Sequence, residues 1–229
     1  MQVRWRDIIN EINTTSERYL LCVSGGVDSM FMLEFFNKNC RQPFRVAHFN
    51  HDLRPSADAE EHHVRQWCQE RDITFLTTKG DAGAMREARS LEAEARNQRY
   101  AFFDAIRRED ELVVTAHHAN DQLETVLMRL IRGVPHDQLR MEKRVENRYR
   151  PFLSVPREEI ERQARNRGID WVEDESNADT VHERNWMRHV IIPQLMERRN
   201  VLKTIGLAPA KEDPTADLGQ HGPCSGKTR

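Results

Sequence analysis

Four short apolar runs, residues 19–23, 45–49, 73–77 and 112–116, punctuate the first half of the chain, and each is followed by a longer stretch with apolar residues at helical spacing. Strands covered on both faces by crossover helices read as unbroken apolar runs rather than as alternating ones. The pattern therefore predicts an α/β protein with a doubly wound, mainly parallel sheet. Its helices fall at 29–37, 57–70, 91–108 and about 121–132. In the third of these, Leu91, Ala95, Tyr100, Phe102, Phe103 and Ile106 form the apolar face, and Ser90 caps the start with Glu92 and Glu94 in the first turn. Residues 1–132 are read as this α/β domain.

Beyond Gly133 the pattern changes. Residues 129–167 carry eleven Lys/Arg against six acids, an excess that predicts an anion-facing surface. Pro156 opens a helix that ends at Gly168, and a last helix spans about 181–197 with a kink or break at Pro193. Residues 133–205 are thus a basic linker and small helical extension, and 206–229 a flexible tail. Within the tail, residues 222–228 resemble a Walker A loop but are one residue short, with no strand before them and no helix after.

Composition narrows the class. With 229 residues, 38% hydrophobic, the chain can bury a substantial core. No apolar run approaches the roughly 20 residues of a membrane span, and the N-terminus has no signal-peptide pattern, so a cytoplasmic location is expected. Four cysteines without a CxxC pair disfavour a zinc ribbon, an iron–sulfur site or a disulfide framework. A formal charge of −2 speaks weakly against nucleic acid, because 29 of the 35 basic residues are arginine and their excess lies after residue 129.

Ser24-Gly25-Gly26-Val27-Asp28-Ser29 directly follows the first strand and opens a helix. Glycines allow close backbone approach, a helix N-terminus directs N–H groups at an anion, and Ser24 and Ser29 add hydroxyls: this is a phosphate cradle. A plain tight strand-to-helix turn would share the glycines and serines. Asp28 argues against that, since a carboxylate beside a phosphate needs a bridging cation, here Mg²⁺. His117-His118-Ala-Asn-Asp121-Gln-Leu-Glu124-Thr125 follows the fourth strand, and both motifs lie on the carboxyl edge where a parallel sheet binds ligands. Asp121, Glu124 and Thr125 share one helix face, suited to a metal or an amine. His48, Asn50 and His51 follow the second strand. His48-x-x-His51 is a zinc half-site that nothing completes, and hydrogen bonding at the crevice rim is the stronger expectation. His62 and His63 are expected on a solvated face.

SGGVDS resembles the signature of the PP-loop ATP pyrophosphatases. Four further segments are similar to the tRNA(Ile)-lysidine synthetases: HFNHDLRP (48–55), SLEAEARNQRYAFF (90–103), TAHHANDQLETVLMRLIRG (115–133), and WVEDESNAD with RNWMRHVIIPQL (171–179 and 184–195). SGGxDS alone would also fit thiouridylases or the synthetases of GMP, NAD or argininosuccinate. The resemblance implies adenylation of the wobble cytidine in a CAU-anticodon isoleucine tRNA by ATP with Mg²⁺, then displacement of AMP by L-lysine. It implies that Ser24, Gly25, Gly26, Val27, Asp28 and Ser29 hold ATP phosphates, with Asp28 on Mg²⁺, and that His48, Asn50, Arg96 and His117 contribute to nucleotide binding. His117, Asp121 and Glu124 would hold or deprotonate lysine and orient the base. Arg184 and Arg188, one turn apart, would stabilise phosphate charge or grip RNA, although a solvated helix face would look the same. Two departures stand out. The family's Gly-rich stretch after RLIRG is polar and basic here at 134–147, and the chain reads as a short form without C-terminal tRNA-binding domains. A homodimer is left open. The alternatives are a PP-loop enzyme transferring another amine or sulfur, and a nucleotide- or RNA-binding module without catalysis.

Overall fold

The computed structural model describes residues 3–54, 56–173 and 183–204. The 174–179 part of the WVEDESNAD motif, the start of the last helix, the tail with its Walker-like loop and Cys224 lie outside the described residues.

The four expected strands form, as β1 (Arg18–Cys22), β2 (Phe44–Asn50), β3 (Phe75–Lys79) and β4 (Glu111–Val114), and all run parallel. Two more, β5 (Arg144–Val145) and β6 (Arg148–Tyr149), complete a sheet of order β3-β2-β1-β4-β6-β5, with β6 parallel to β4 and β5 antiparallel at the edge. The segment read as a linker therefore extends the same sheet across the boundary placed at residue 132. Two-residue strands carry no alternation by which to find them.

Neighbouring residues of β1 supply opposite faces. Tyr19 and Leu21 join the larger core with helix α2 (Val27–Asn39), while Leu20 packs on the other side with Ala47, Val113 and Phe103. α2 is buried along most of its length because it is covered in turn by α1 (Trp5–Thr14) and α7 (Arg157–Asn166). Trp5, Phe31, Phe35 and Phe152 interlock there at centroid separations from 5.3 to 6.1 Å. Burying each such ring is worth about 1.5–3 kcal/mol. Helices α3 (Ser56–Gln69), α4 (Ala82–Glu87), α5 (Leu91–Ile106) and α6 (Ala119–Ile131) make up the rest of the two layers. Ser90 caps α5 as expected, its hydroxyl accepting from the Ala93 N–H.

The last helix runs as α8 (Glu183–Trp186), a π-turn Met187–Ile191 and α9 (Ile192–Arg198), before the short α10 (Val201–Thr204). Pro193 does not break it. The π-turn, in which Ile192 N–H reaches Met187 O, absorbs the missing donor immediately before the proline.

The anion-facing surface expected over 129–167 needs correction. Lys143 pairs with Glu11, Arg144 with Glu17 at 2.7 Å, Arg148 with Asp104 at 2.9 Å, Arg132 with Glu183 and Arg162 with Glu159 at 2.7 Å. Glu11, Glu17, Asp104 and Glu183 come from outside the segment and neutralise much of its excess, whereas Glu159 belongs to it. Pairs as exposed as these contribute about 0–1 kcal/mol each.

Candidate functional site

From β1 the chain steps to β2 and β3 on one side and returns to β4 on the other. At such a reversal the connections diverge and leave a crevice at the carboxyl edge. SGGVDS after β1 and His117-His118 after β4 both open into it, in a cleft of about 950 Å³.

Gly25 adopts φ +99°, and a Cβ there would lie 3.3 Å from the Cβ of Glu60 on α3, so the turn requires glycine. The Ser29 hydroxyl ties the loop from inside. It accepts from the N–H groups of Ser24 and Gly25 at 3.2 Å each, donates to Gly26 O at 2.9 Å, and lies 3.2 Å from the Ser24 hydroxyl. Ser29 is thus the organiser of the cradle. Val27 is a core residue, packed beneath the loop. The Gly25 carbonyl accepts from Val172 N–H at 3.0 Å, docking the segment after α7 against the cradle. His48 Nδ1 sits 2.9 Å from Val23 O, bracing the end of β1. Asn50 donates to Asp58 and Glu61 and accepts from Asp52 N–H, shaping the turn after β2. Both line the cleft by fixing its rim.

Asp28 is poised for a cation. Its Oδ1 is buried without a hydrogen-bond partner, and its Oδ2 stands 3.7 Å from His118 Nε2 and 3.7 Å from Arg157 Nε. Among the described residues no cluster of three His, Cys, Asp or Glu could hold a metal by itself. A single carboxylate sharing the ion with ligand phosphates is how Mg²⁺ is usually held, and the orphaned oxygen fits that role.

Arg157, at the first turn of α7, is a site residue that the sequence reading missed. Its backbone N–H is fixed by the Asn120 side chain at 3.0 Å, and its Nε is buried without a hydrogen bond, 3.3 Å from Glu161. It lines the cleft opposite the glycine loop. Its signal was only an arginine following Pro156, which reads as an ordinary helix start. Arg157→Met should weaken ATP binding about tenfold and leave AMP binding unchanged. Equal losses for both nucleotides, measured by calorimetry, would remove Arg157 from the polyphosphate site.

On the β4 side, His118 caps α6. Its Nδ1 accepts from Asp121 N–H at 3.2 Å, while Asp121 Oδ2 accepts from His118 N–H at 3.0 Å. This reciprocal box holds the helix start. Asp121 and Glu124 are buried, and both are claimed by the last helix. Glu124 accepts from Arg184 Nε at 2.7 Å and from Arg188 Nε at 2.7 Å; Asp121 Oδ1 accepts from Arg184 Nη2 at 3.1 Å. The four sequence-predicted residues therefore come together as an ion-pair cluster that fastens the last helix to α6. Arg184 and Arg188 are not on a solvated face. Their guanidinium pKa values are raised, with burial opposed by the two carboxylates, and the Asp121 carboxyl is held well below its ordinary range by His118, His117 and Arg184 despite burial.

His117 Nδ1 lies 2.7 Å from the Thr115 hydroxyl. Burial first, then Arg150, Arg184 and Arg96, push its pKa down to about 3 against the pull of Asp121. A neutral imidazole with so little proton affinity is a hydrogen-bonding group rather than a general base. His51, edge-on to Phe49, is likewise lowered to about 4, chiefly by burial. His118 moves the other way, as Asp121 and Asp28 outweigh its burial. Between pH 6.5 and about 4 the unfolded chain protonates His117 and His51 while the folded protein does not. The contribution of these two histidines to stability is therefore full above pH 6.5 and falls on acidification, by up to about 1.4 kcal/mol per histidine per pH unit, while the raised His118 works in the opposite sense. Urea titrations at descending pH check this; a flat profile from pH 7 to 5 would contradict it.

A parallel sheet with a glycine-rich cradle and a carboxylate with one unpartnered oxygen at its switch point defines a phosphate-binding α/β protein. Residues 1–195 match the PP-loop domain, and the chain belongs to that family. It is 37% identical over 206 residues to a tRNA(Ile)-lysidine synthase of Vibrio vulnificus, covering 83% of this chain and 45% of that protein. It is 33% identical over 189 residues to a tRNA(Ile)-lysidine synthase of Legionella pneumophila, covering 80% and 43%. The chain thus spans less than half the length of these relatives. Among solved structures, the U34-tRNA thiolase NcsA from Methanococcus maripaludis shares the fold with TM-score 0.68 and 14% identity, over 88% of this chain and 76% of that one. Among the described residues, no helix is long and apolar enough to cross a membrane.

Proposed function

We propose that the chain is the catalytic core of a tRNA(Ile)-lysidine synthase. The observation that carries this reading is 37% identity across 83% of the chain to a protein of that activity, and the cleft supports it. ATP lies with its phosphates on the Gly25–Gly26 turn, beside Asp28 and Arg157. Asp28 would hold Mg²⁺ together with the phosphates, and the ion would supply positive charge to the departing pyrophosphate.

The 2-carbonyl oxygen of the wobble cytidine attacks the α-phosphorus. An oxygen–phosphorus bond forms, and the bond to the β-phosphate bridge breaks. Adenylation turns a poor leaving group into AMP, which lowers the barrier for amine attack at the ring carbon. The lysine ε-amine then forms the carbon–nitrogen bond as AMP leaves. Arg184 and Arg188, held by Asp121 and Glu124, place positive charge beside this step. His117 supplies a neutral hydrogen bond to the bound substrates.

Purified chain given ATP, Mg²⁺, labelled L-lysine and a CAU-anticodon isoleucine tRNA should release AMP and pyrophosphate and incorporate label. Incorporation of another amine or of sulfur would assign the chain to a different PP-loop reaction; ATP binding without turnover would make it a binding module.

A further inference from the structure

Trp171, just after α7, lines the cleft and is half-buried: it packs against the larger core without being covered by it. Its backbone is pinned on both sides. The Asp170 carbonyl accepts from His63 Nε2 of α3 at 3.1 Å, and the Val172 N–H donates to Gly25 O at 3.0 Å. The exposed Arg165 guanidinium stands over the indole, 5.4 Å from the ring centroid, and it too lines the cleft. Among the described residues the Arg165 side chain has no ion pair or hydrogen bond, and Glu161, one turn before it, is taken by Arg157 at 3.3 Å.

An indole held open in a cleft beside an uncompensated guanidinium suits a nucleotide. Every base has a π-face that stacks on an aromatic ring, and arginine meets the phosphate that the nucleotide brings. Because the backbone on either side of Trp171 is already fixed, stacking there costs little ordering. The phosphates of ATP are committed elsewhere, to the glycine turn and Arg157. Arg165 lies two helical turns further along α7, about 12 Å at the helical rise. A base on Trp171 with its phosphate at Arg165 therefore belongs to a second nucleotide. Arg96, the nucleotide contact expected from the sequence, sits instead on the α5 wall, 4.7 Å from the Tyr100 ring centroid.

We propose that Trp171 and Arg165 form a platform for an unpaired RNA base, the adenine next to the wobble cytidine of the CAU anticodon. The adenine stacks on the indole and its phosphate lies at Arg165. The inference rests on the tRNA reading above. A cytidine drawn into the cleft for adenylation carries its neighbours to the cleft lip, and loop bases once splayed out are held by stacking on aromatic side chains. Adenine is the neighbour that the CAU sequence itself supplies.

The test compares a CAU anticodon stem-loop with one in which that adenine is replaced by an abasic site, by equilibrium binding to the full chain. Wild-type chain should prefer the intact loop about tenfold, the effect of one lost base stack. Trp171→Leu, which keeps apolar bulk and removes the π-face, should reduce the preference below twofold, and Trp171→Phe should restore most of it. Arg165→Gln should weaken stem-loop binding about threefold and lower its salt slope by about one phosphate contact. ATP affinity should stay within twofold in every variant, which also shows that each is folded. Absence of preference in the wild type, or preference retained in Trp171→Leu, would overturn the proposal. Equal losses for ATP and the stem-loop would overturn it as well, by putting the ATP adenine on the ring. Lysine incorporation into the intact stem-loop tests the parent reading separately. Incorporation without a preference discards the platform alone; a Trp171-dependent preference without incorporation discards lysidine synthesis and keeps the platform.

Discussion

Asp28→Asn should cut pyrophosphate release from ATP by about two to three orders of magnitude, the cost of one preorganised contact, and leave the fold intact. The substitution keeps shape and removes only charge, and Asp28 makes no hydrogen bond that folding depends on: Oδ1 is unpartnered and Oδ2 is 3.7 Å from each of its cationic neighbours. Unfolding free energy should change by less than about 1 kcal/mol, as for substitutions that break no buried network. Turnover should fall by about 10²–10³, the cost of losing one preorganised electrostatic contact to the reacting charge. RNA binding should be unaffected. Steady-state pyrophosphate release, read beside a thermal melt, separates the two effects. A variant that unfolds, or retains more than a tenth of the activity, would contradict the role given to Asp28.

Glu124→Ala has the largest expected effect on stability. Glu124 is 1% exposed and accepts from both Arg184 and Arg188, so its removal leaves two partly buried guanidiniums with only Asp121 to share. Breaking a buried pair from one side costs about 3–5 kcal/mol, which lowers Tm by about 10 °C in a chain of this size. The loss should be local to the helix spanning Glu183–Arg198, whose Met187 and Ile192 pack with Leu123 of α6. Hydrogen exchange should accelerate there and not in β1 or α2. Glu124→Gln, which keeps one acceptor, should recover part of the loss. Uniform acceleration across the sheet, or a Tm shift under 3 °C, would count against the cluster as the fastener.

The parallel sheet was legible because its strands are short, apolar and regularly spaced, and both cleft motifs could be placed from strand ends alone. The sequence could not show that Asp121 and Glu124 are already occupied. Their partners stand about 60 residues away, and one-face spacing on α6 looks the same for a substrate site as for an ion-pair anchor. The basic run misled for the same reason, since Glu11, Glu17 and Asp104 reach it only through the fold. Arg157 was invisible because it reads as an ordinary helix arginine. What marks it is its position 3.7 Å from Asp28 in the cleft, a property of the packed molecule.

The central claim is that this cleft joins lysine to the wobble cytidine. Mass spectrometry of nuclease-digested CAU anticodon stem-loop, after incubation with the chain, ATP, Mg²⁺ and lysine, tests it most directly. The account predicts a cytidine whose 2-oxygen has been replaced by the ε-nitrogen of lysine, formed by the wild type and not by Asp28→Asn. Unmodified cytidine despite ATP cleavage, or sulfur or another amine at that carbon, would contradict it.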